Sequence, residues 1–390
     1  MIWLGLAACL AWAVLLFGRG FFWLARDDDR DAAALPAPKR WPSVVCVVPA
    51  RDEAESIAAT VGAVLAQDYP GALRLIVVDD RSSDGTGALA RAAGGDDPRL
   101  AVLTGAARPA GWTGKLWALQ QGVQAAGTPE YLWFTDADIR HAPDSLRRLV
   151  ARAVAEQRVM VSLMARLNCA SAAERWLIPA FIFFFQMLYP FRWANRPGAR
   201  TAAAAGGCVL LQRPAFVRAG GLAPIQGALI DDCSLAALMK RQGAIWVGLT
   251  ERVVSLRPYP GVAPIRRMVA RTAFAQLRFS SLLLLGMLVA LALVFLAPPL
   301  VALLAPAPAA WLGVAAWLAM ALAYAPTLRR FGLHPLRSLA LPAIALMYMV
   351  FTCESAWQEW RGRGGMWKGE AGPRADRGAE RAADTAAGQG

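Results

Sequence analysis

The chain has 390 residues, of which 57% are hydrophobic, and it combines a mean hydropathy of +0.38 with a formal net charge of +13. This combination argues against an ordinary soluble protein, and it is normal for a protein held against anionic lipid. We therefore expect attachment to a membrane, and we expect no nucleic-acid partner.

The first apolar segment, residues 2–24, is interrupted only by Arg19. It is long enough to cross a hydrocarbon core of roughly 30 Å. No basic residue precedes it and bulky side chains close it, so we expect residues 1–25 to be an uncleaved transmembrane anchor, not a secretory signal. Lys and Arg residues follow the anchor, so we expect the next domain to lie in the cytoplasm.

Residues 41–278 are predicted to form one α/β domain, because buried-strand patterns alternate there with helical patterns. The run SVVCVVPA is predicted to be a strand, ESIAATVGAVLAQ a helix, LRLIVVDD a strand and KLWALQQGVQAA a later helix. Such alternation is typical of a mostly parallel, doubly wound sheet. In that architecture the ligand binds at the carboxyl ends of the strands.

Three acidic clusters occur in this domain, each beside a strand end or a glycine-rich stretch: Asp79 with Asp80, Asp136 with Asp138, and Asp231 with Asp232. Carboxylates one residue apart, as in the second cluster, suit a hard divalent ion. Simpler explanations exist, namely polar turns for the first two clusters and a helix N-terminus for the third. The order and context of all three favour an enzyme that handles a nucleotide diphosphate through a metal.

Lys115 lies in GWTGKLWAL, beside the predicted start of a helix, where a cation can meet a diphosphate. An exposed lysine without a role explains the local pattern equally well. The phosphate-binding loop of ATPases does not fit, since Pro109 stands at its first glycine and Leu116 follows the lysine.

The C-terminal part becomes strongly apolar again, and residues 280–357 are predicted to form a membrane region of two to three helices. The last of these segments, residues 339–357, is weakened by Pro342 and Glu354, so it either spans or is re-entrant. Residues 176–193 are also apolar, but their prolines favour an interfacial helix or a wall for the acceptor. A buried core helix is the alternative for that segment.

Three arginines, Arg267, Arg271 and Arg278, recur at intervals that predict one common helical face. They are candidates for contact with lipid phosphates or with a product diphosphate, and a plain basic face near the membrane is the alternative. Residues 367–390 are predicted to be disordered.

Together the segments resemble the family 2 glycosyltransferases of the GT-A fold, through VVPARDE, IVVDDRSSDGT, GWTGKLWALQQG, FTDADI, AAGGCVLLQR and LIDD in that order. The resemblance covers residues 43 to about 280. The anchor, the GWTGK spelling, the terminal apolar segments and GRGGMWKG are most similar to hopene-associated glycosyltransferases, with ceramide glucosyltransferases and carotenoid-type glycosyltransferases as neighbours. The Gln-x-x-Arg-Trp motif of processive synthases is missing from RRMVARTAFAQLRFS, so a non-processive hexosyltransferase is expected.

The resemblance implies an inverting enzyme that moves a sugar from a nucleotide-diphosphate sugar, expected to be a UDP-sugar, to a lipid or lipid-linked acceptor. Hopanoid-related metabolism is the implied setting, and a polyprenyl phosphate is an alternative acceptor. The resemblance implies that Glu53, Asp79 and Asp80 bind the nucleoside and that Lys115 contacts the diphosphate. It implies that Asp136 contacts ribose, phosphate or the metal and that Asp138 ligates Mn²⁺ or Mg²⁺. Asp232, beside Asp231, is the implied general base.

Three other functions remain open on the sequence. A nucleotide-binding membrane protein without catalysis would use the same fold but would leave Asp232 without a task. A transporter would explain the apolar segments but not the large polar domain. A nucleotidyltransferase would release pyrophosphate in place of a nucleoside diphosphate.

Overall fold

The structure is a computed structural model, and it describes residues 1–362 and residue 364. The described chain divides into two units. Residues 27–167 and 193–257 form an α/β unit, and residues 1–26, 168–192 and 258–364 form a helical unit. The predicted disordered tail, residues 367–390, lies outside the described residues.

The strands, in chain order, are β1 (Val44–Ala50), β2 (Leu73–Asp79), β3 (Leu100–Thr104), β4 (Tyr131–Phe134), β5 (Ile139–His141), β6 (Met160–Arg166), β7 (Val209–Gln212) and β8 (Ile245–Ser255). They form one sheet in the order β3-β2-β1-β4-β7-β6-β8-β5. Strands β1 to β4 are parallel to one another, as are β6 and β8, whereas β5 and β7 are antiparallel to their neighbours. The predicted mostly parallel sheet is confirmed.

The α-helices, in chain order, are α1 (Ile2–Phe17), α2 (Ile57–Leu65), α3 (Thr86–Gly94), α4 (Gly114–Ala125), α5 (Ser145–Ala155), α6 (Ala172–Leu188), α7 (Phe191–Ala194), α8 (Arg213–Arg218), α9 (Asp231–Lys240), α10 (Val262–Ala270), α11 (Ala273–Gln276), α12 (Ser281–Leu291), α13 (Ala297–Leu304), α14 (Ala309–Arg330) and α15 (Leu341–Trp360). A π-helical turn, Ala292–Leu296, joins α12 to α13. Short 3₁₀ helices occupy Phe22–Leu24, Arg30–Ala34, Ala223–Ile225 and Pro335–Ala340.

Strand β1 is apolar throughout because both faces of the sheet are covered. Val44 and Val48 point into the hydrophobic core on one face, and Val45 and Val47 point into the core on the other. Successive side chains of a strand face opposite sides, so a continuous apolar run requires packing on both. All seven residues of β1 are buried accordingly. This packing holds the carboxyl ends of β1 and its parallel neighbours in one place.

The N-terminal helix is shorter than the predicted anchor. Helix α1 ends at Phe17, and its 16 residues correspond to about 24 Å at the usual rise per residue. Gly18 is the C-cap, and Gly20 and Phe21 then adopt positive φ angles of 67° and 53°, so the helix does not resume although most of the sequence stays apolar to Leu24. Among the described residues α1 therefore counts as a shorter apolar helix, below the length of a full span.

Four other helical segments are long and apolar enough to cross a membrane, by length and composition: Ala172–Ala194, Ser281–Leu304, Ala309–Arg330 and Pro335–Trp360. The last three correspond to the predicted C-terminal membrane region. The first contains the segment for which prolines were expected to disfavour a span. It forms helix α6, which continues through Pro179 and ends at Leu188, and the short helix α7 begins after Pro190.

The three C-terminal arginines do not share one helical face. Arg267 lies in α10, but Arg271 is the residue at which that helix ends. Arg278 follows the separate helix α11 and adopts a positive φ of 53°. The prediction of a common face was wrong because it assumed one uninterrupted helix, whereas the chain turns between α10 and α11.

Candidate functional site

Lys115 connects two of the acidic clusters in the α/β unit. Its Nζ lies 2.8 Å from Asp136 Oδ1 and 3.0 Å from Asp231 Oδ2. Three elements supply these groups, because Lys115 is in the first turn of α4, Asp136 follows β4, and Asp231 begins α9 as predicted. Burial alone would lower the pKa of Lys115, but the surrounding carboxylates, Asp136 first, raise it above its ordinary value. The lysine is therefore a permanent cation at the centre of the site.

Asp232 is held by two backbone donors. Its Oδ2 accepts a hydrogen bond from the Gly206 N–H at 3.1 Å, and its Oδ1 accepts one from the Cys233 N–H at 2.7 Å. Burial and the neighbouring charge of Asp231 raise the pKa of Asp232 to about 6, against the opposing effect of Lys115. A carboxyl group with a pKa near neutrality, fixed in orientation, is suited to take up a proton during a reaction.

The glycine-rich stretch before α8 allows this close arrangement. A Cβ atom on Gly206 would lie 2.9 Å from Lys115 Nζ, so any larger residue would displace the lysine. The next residue, Gly207, is tied to the end of β4 because the Thr135 hydroxyl donates to its carbonyl oxygen at 2.8 Å. His141 Nε2 lies 2.8 Å from the same hydroxyl oxygen and is assigned as a donor, since the hydroxyl hydrogen is already used.

A cleft at this place is lined by Lys115, Asp136, Asp231, Asp232 and Gly206, together with apolar side chains that include Leu119, Phe134, Val209, Leu222 and Leu235. The cleft therefore combines charged and apolar side chains. The structure brings together the second and third acidic clusters and the candidate lysine.

Arg257 forms ion pairs with two further candidate site residues, Glu53 and Asp138, and the sequence analysis did not identify it. Its Nε lies 2.7 Å from Asp138 Oδ2, and its Nη2 lies 2.6 Å from Glu53 Oε1. Burial and Asp136 raise the pKa of Asp138, while Arg257 opposes this effect. Arg257 follows β8 by two residues, and the pairing of β8 with β5 brings it to Asp138. No local spacing signals such a contact.

The first acidic cluster is divided between two environments. Asp80 is only 1% exposed, and its Oδ2 lies 3.2 Å from Arg51 Nη1. Asp79 ends β2 and accepts a hydrogen bond from the Ser82 N–H at 3.0 Å. The positive group that two adjacent carboxylates require is therefore present. Glu53 lies in the turn that precedes α2, four residues before the helix begins.

The described residues contain no group of three or more His, Cys, Asp or Glu side chains arranged to hold a metal ion. A metal that arrives with a diphosphate needs only one or two carboxylates, since phosphate oxygens complete its coordination. Asp136 and Asp138 offer hard oxygen ligands of that kind, and each faces a cation, Lys115 or Arg257, that balances its charge. The donor set therefore fits Mn²⁺ or Mg²⁺ bound together with a diphosphate.

Comparison with known proteins gives a family-model match over part of the chain and a similar fold. Residues 45–218 match the model of the family described as glycosyl transferase family 2. The structure is similar to that of a mannosyltransferase from Pyrobaculum calidifontis in complex with GDP-Man and Mn²⁺, with 22% identity, a TM-score of 0.54 and coverage of 94% of this chain and 100% of that chain. No curated protein matches the chain.

Two more distant similarities are to phosphoglycerate glycosyltransferases. Mannosyl-3-phosphoglycerate synthase from Rubrobacter xylanophilus matches with 18% identity, a TM-score of 0.38 and coverage of 67% of this chain and 78% of that chain. Glucosyl-3-phosphoglycerate synthase from Mycobacterium tuberculosis matches with 20% identity, a TM-score of 0.38 and coverage of 64% and 83%. The family match and the Pyrobaculum structure establish the GT-A glycosyltransferase fold for this chain.

Proposed function

We propose that this chain, whose residues 45–218 match the family 2 glycosyltransferase model, transfers a hexose from a nucleotide-diphosphate sugar to a lipid acceptor, one sugar per acceptor and with inversion. The observation that carries the proposal is the pairing of a permanent cation with a nearby carboxyl group whose pKa is raised to about 6, Lys115 with Asp232. Sugar transfer needs both a cation for the leaving diphosphate and a base for the acceptor.

The donor is proposed to bind at the carboxyl ends of β1, β2 and β4. Asp79 and Glu53 would face the nucleoside, whereas Asp80 is buried and would act by positioning Arg51. Lys115 would contact the diphosphate, for which a partly exposed ammonium group beside the cleft is well placed. The nucleoside is proposed to be uridine on sequence resemblance, and a guanosine donor belongs in the same test, because the Pyrobaculum mannosyltransferase structure contains GDP-Man.

Asp138, with Asp136, is proposed to hold Mn²⁺ or Mg²⁺. Such an ion would neutralise the charge that develops on the departing diphosphate. Arg257 would then have to leave Asp138, and its planar, multi-donor guanidinium could move to phosphate oxygens. Lys115 and Arg257 thus form ion pairs with Asp136 and Asp138, the two carboxylates that are proposed to bind the metal.

Asp232 is proposed to act as the general base. Its carboxylate would take the proton of the acceptor hydroxyl while the acceptor oxygen forms a bond to the anomeric carbon. In the same step the bond from that carbon to the diphosphate oxygen breaks, so the configuration inverts. Asp231 holds Lys115 at 3.0 Å and would keep the lysine beside the leaving group.

The acceptor is proposed to be a lipid because the chain carries four helical segments that are long and apolar enough to cross a membrane. A bacterial inner-membrane enzyme with its α/β unit in the cytoplasm would meet both a soluble nucleotide sugar and a membrane-bound hydroxyl. Hopanoids and polyprenyl phosphates are the acceptors that the sequence resemblance suggests.

The test is release of nucleoside diphosphate by the detergent-purified full chain with Mn²⁺, a panel of UDP- and GDP-sugars and total bacterial lipid. Hopanoid and polyprenyl phosphate fractions are added separately. Asp232→Asn and Asp138→Ala are expected to abolish release, and Asp96→Asn, at an exposed position, is the matched control. Release that requires lipid and both carboxylates supports the proposal. Pyrophosphate release indicates a nucleotidyltransferase, and nucleotide binding without release indicates a binding protein.

A further inference from the structure

Arg337 lies at the start of the apolar segment Pro335–Trp360 in the helical unit. A charge in such a segment is costly unless it is paired, and it generally marks a functional site. The guanidinium stacks over Trp176 at 4.7 Å from the ring centroid. Within the described part of the chain no carboxylate forms an ion pair with Arg337, and its buried Nη1 has no hydrogen-bond acceptor.

Two buried hydroxyl groups of α14 also lack a hydrogen-bond partner among the described residues. Tyr324 is 0% exposed and Thr327 is 1% exposed, and neither hydroxyl oxygen has a hydrogen-bond partner among the described residues. Buried hydroxyls nearly always have a partner, because leaving one without a bond costs stability. The two residues are three positions apart on one helix, so their side chains leave the same side of it.

Arg337 and Tyr324 face the same helix, α6. The Tyr324 ring packs against Phe183 with centroids 5.3 Å apart, and Arg337 packs against Trp176. Trp176 and Phe183 are seven residues apart, two helical turns, and so lie on one face of α6. The 3₁₀ helix Pro335–Ala340, which carries Arg337, packs along α14, the helix that carries Tyr324 and Thr327. The three polar groups therefore share one seam of the helical unit.

We propose that this seam binds the phosphate of a lipid headgroup through Arg337, Tyr324 and Thr327. Arg337 Nη1 and the two hydroxyl groups can donate hydrogen bonds, and none of them has an acceptor among the described residues, so the ligand must supply several acceptor oxygens and a negative charge. The fork of a guanidinium matches phosphate in this respect. The surrounding aromatic rings and the apolar helices suit the hydrocarbon part of a lipid. The proposal does not depend on sugar transfer.

Binding is measured with the delipidated full chain in detergent, by native mass spectrometry and by the rise in melting temperature. The probes are phosphatidic acid, diacylglycerol with the same acyl chains, and inorganic phosphate. Phosphatidic acid should bind and stabilise, and diacylglycerol should not. Arg337→Gln should weaken binding of phosphatidic acid about tenfold or more, the loss expected for a hydrogen-bonded charge. Equal stabilisation by diacylglycerol, or unchanged binding by the Arg337 variant, would overturn the proposal. Equal stabilisation by inorganic phosphate would show that the site binds free phosphate, and would overturn the proposal that the phosphate belongs to a lipid.

Tyr324→Phe separates this binding role from a merely structural one. Because the hydroxyl has no partner among the described residues, its removal should leave the melting temperature of the delipidated protein unchanged or raise it. With phosphatidic acid the same variant should be less stabilised than the wild type. Tyr348→Phe is the matched control, since the Tyr348 hydroxyl donates to the Leu177 carbonyl at 2.9 Å and its loss should destabilise in both conditions. A Tyr324 variant that loses equal stability with and without lipid would contradict the proposal.

Discussion

Replacing Asp232 with Asn should increase the free energy of unfolding at neutral pH, because the buried, charged Asp232 destabilises the folded protein there. The pKa of Asp232 is raised from 3.8 to about 6, mainly by burial and then by Asp231. The folded chain therefore binds this proton more tightly than the unfolded chain does, and stability falls as the pH rises from about 4 to about 6. Above about pH 6 the full shift costs ~3 kcal/mol, at about 1.4 kcal/mol per pKa unit.

The net effect of the substitution is smaller than this shift. Asp232 accepts hydrogen bonds from two backbone N–H groups, one at each carboxylate oxygen. Asn has one acceptor oxygen, so one of these bonds is lost at a cost of about 1 kcal/mol. Lys115 keeps Asp136 and Asp231 as partners. We expect Asp232→Asn to be ~2 kcal/mol more stable than the wild type at about pH 7.5, and to lose this advantage by about pH 4.

The assay is thermal unfolding of both proteins in one detergent over this pH range. An advantage of ~2 kcal/mol corresponds to a rise of several degrees in melting temperature for a domain of this size. The variant should at the same time lose glycosyl transfer, by roughly 10²- to 10⁴-fold for removal of a general base. A difference in melting temperature that stays constant between about pH 4 and pH 7.5 would refute the raised pKa of Asp232.

Three further predictions concern the same site. Arg257→Gln should bind Mn²⁺ about tenfold more tightly in the absence of nucleotide, because the guanidinium no longer competes for Asp138; a metal titration with unchanged affinity would contradict this. Gly206→Ala places a Cβ 2.9 Å from Lys115 Nζ and should lower turnover by ~10²-fold with little change in melting temperature, whereas Gly198→Ala, with open space around it, is the control. Lys115→Met should lower both melting temperature and turnover, the latter by ~10²-fold or more, because two carboxylates lose their cation; a normal rate would exclude a role at the diphosphate.

The strands and the acidic clusters could be predicted because their signals are local. The run around β1 is continuously apolar since both faces of the sheet are covered, and Asp79 and Asp136 directly follow or end a strand. The carboxyl ends of parallel neighbours meet at one edge, so the sequence was enough to predict that carboxylates gather there. Asp231 at the start of α9 was predictable from the same kind of local pattern.

Arg257 could not be predicted because its partners are distant in sequence. It lies 204 residues from Glu53 and 119 residues from Asp138, and the contact depends on the pairing of β8 with β5. Hydrophobic periodicity carries no information on which strands pair. The end of α1 was missed for a different reason, since the helix ends at Phe17, with Gly18 as its C-cap, inside a run that stays largely apolar to Leu24.

Transfer of a labelled sugar to lipid in a single turnover would test the proposed lipid glycosyltransferase activity most directly. The full chain is loaded with Mn²⁺ and a radiolabelled nucleotide sugar chosen from the donor panel, and bacterial lipid is then added. We expect label in the organic phase for the wild type and for Asp96→Asn, and none for Asp232→Asn. Label that stays in water as free sugar, or label that enters lipid equally with the Asp232 variant, would contradict a lipid glycosyltransferase with Asp232 as its base.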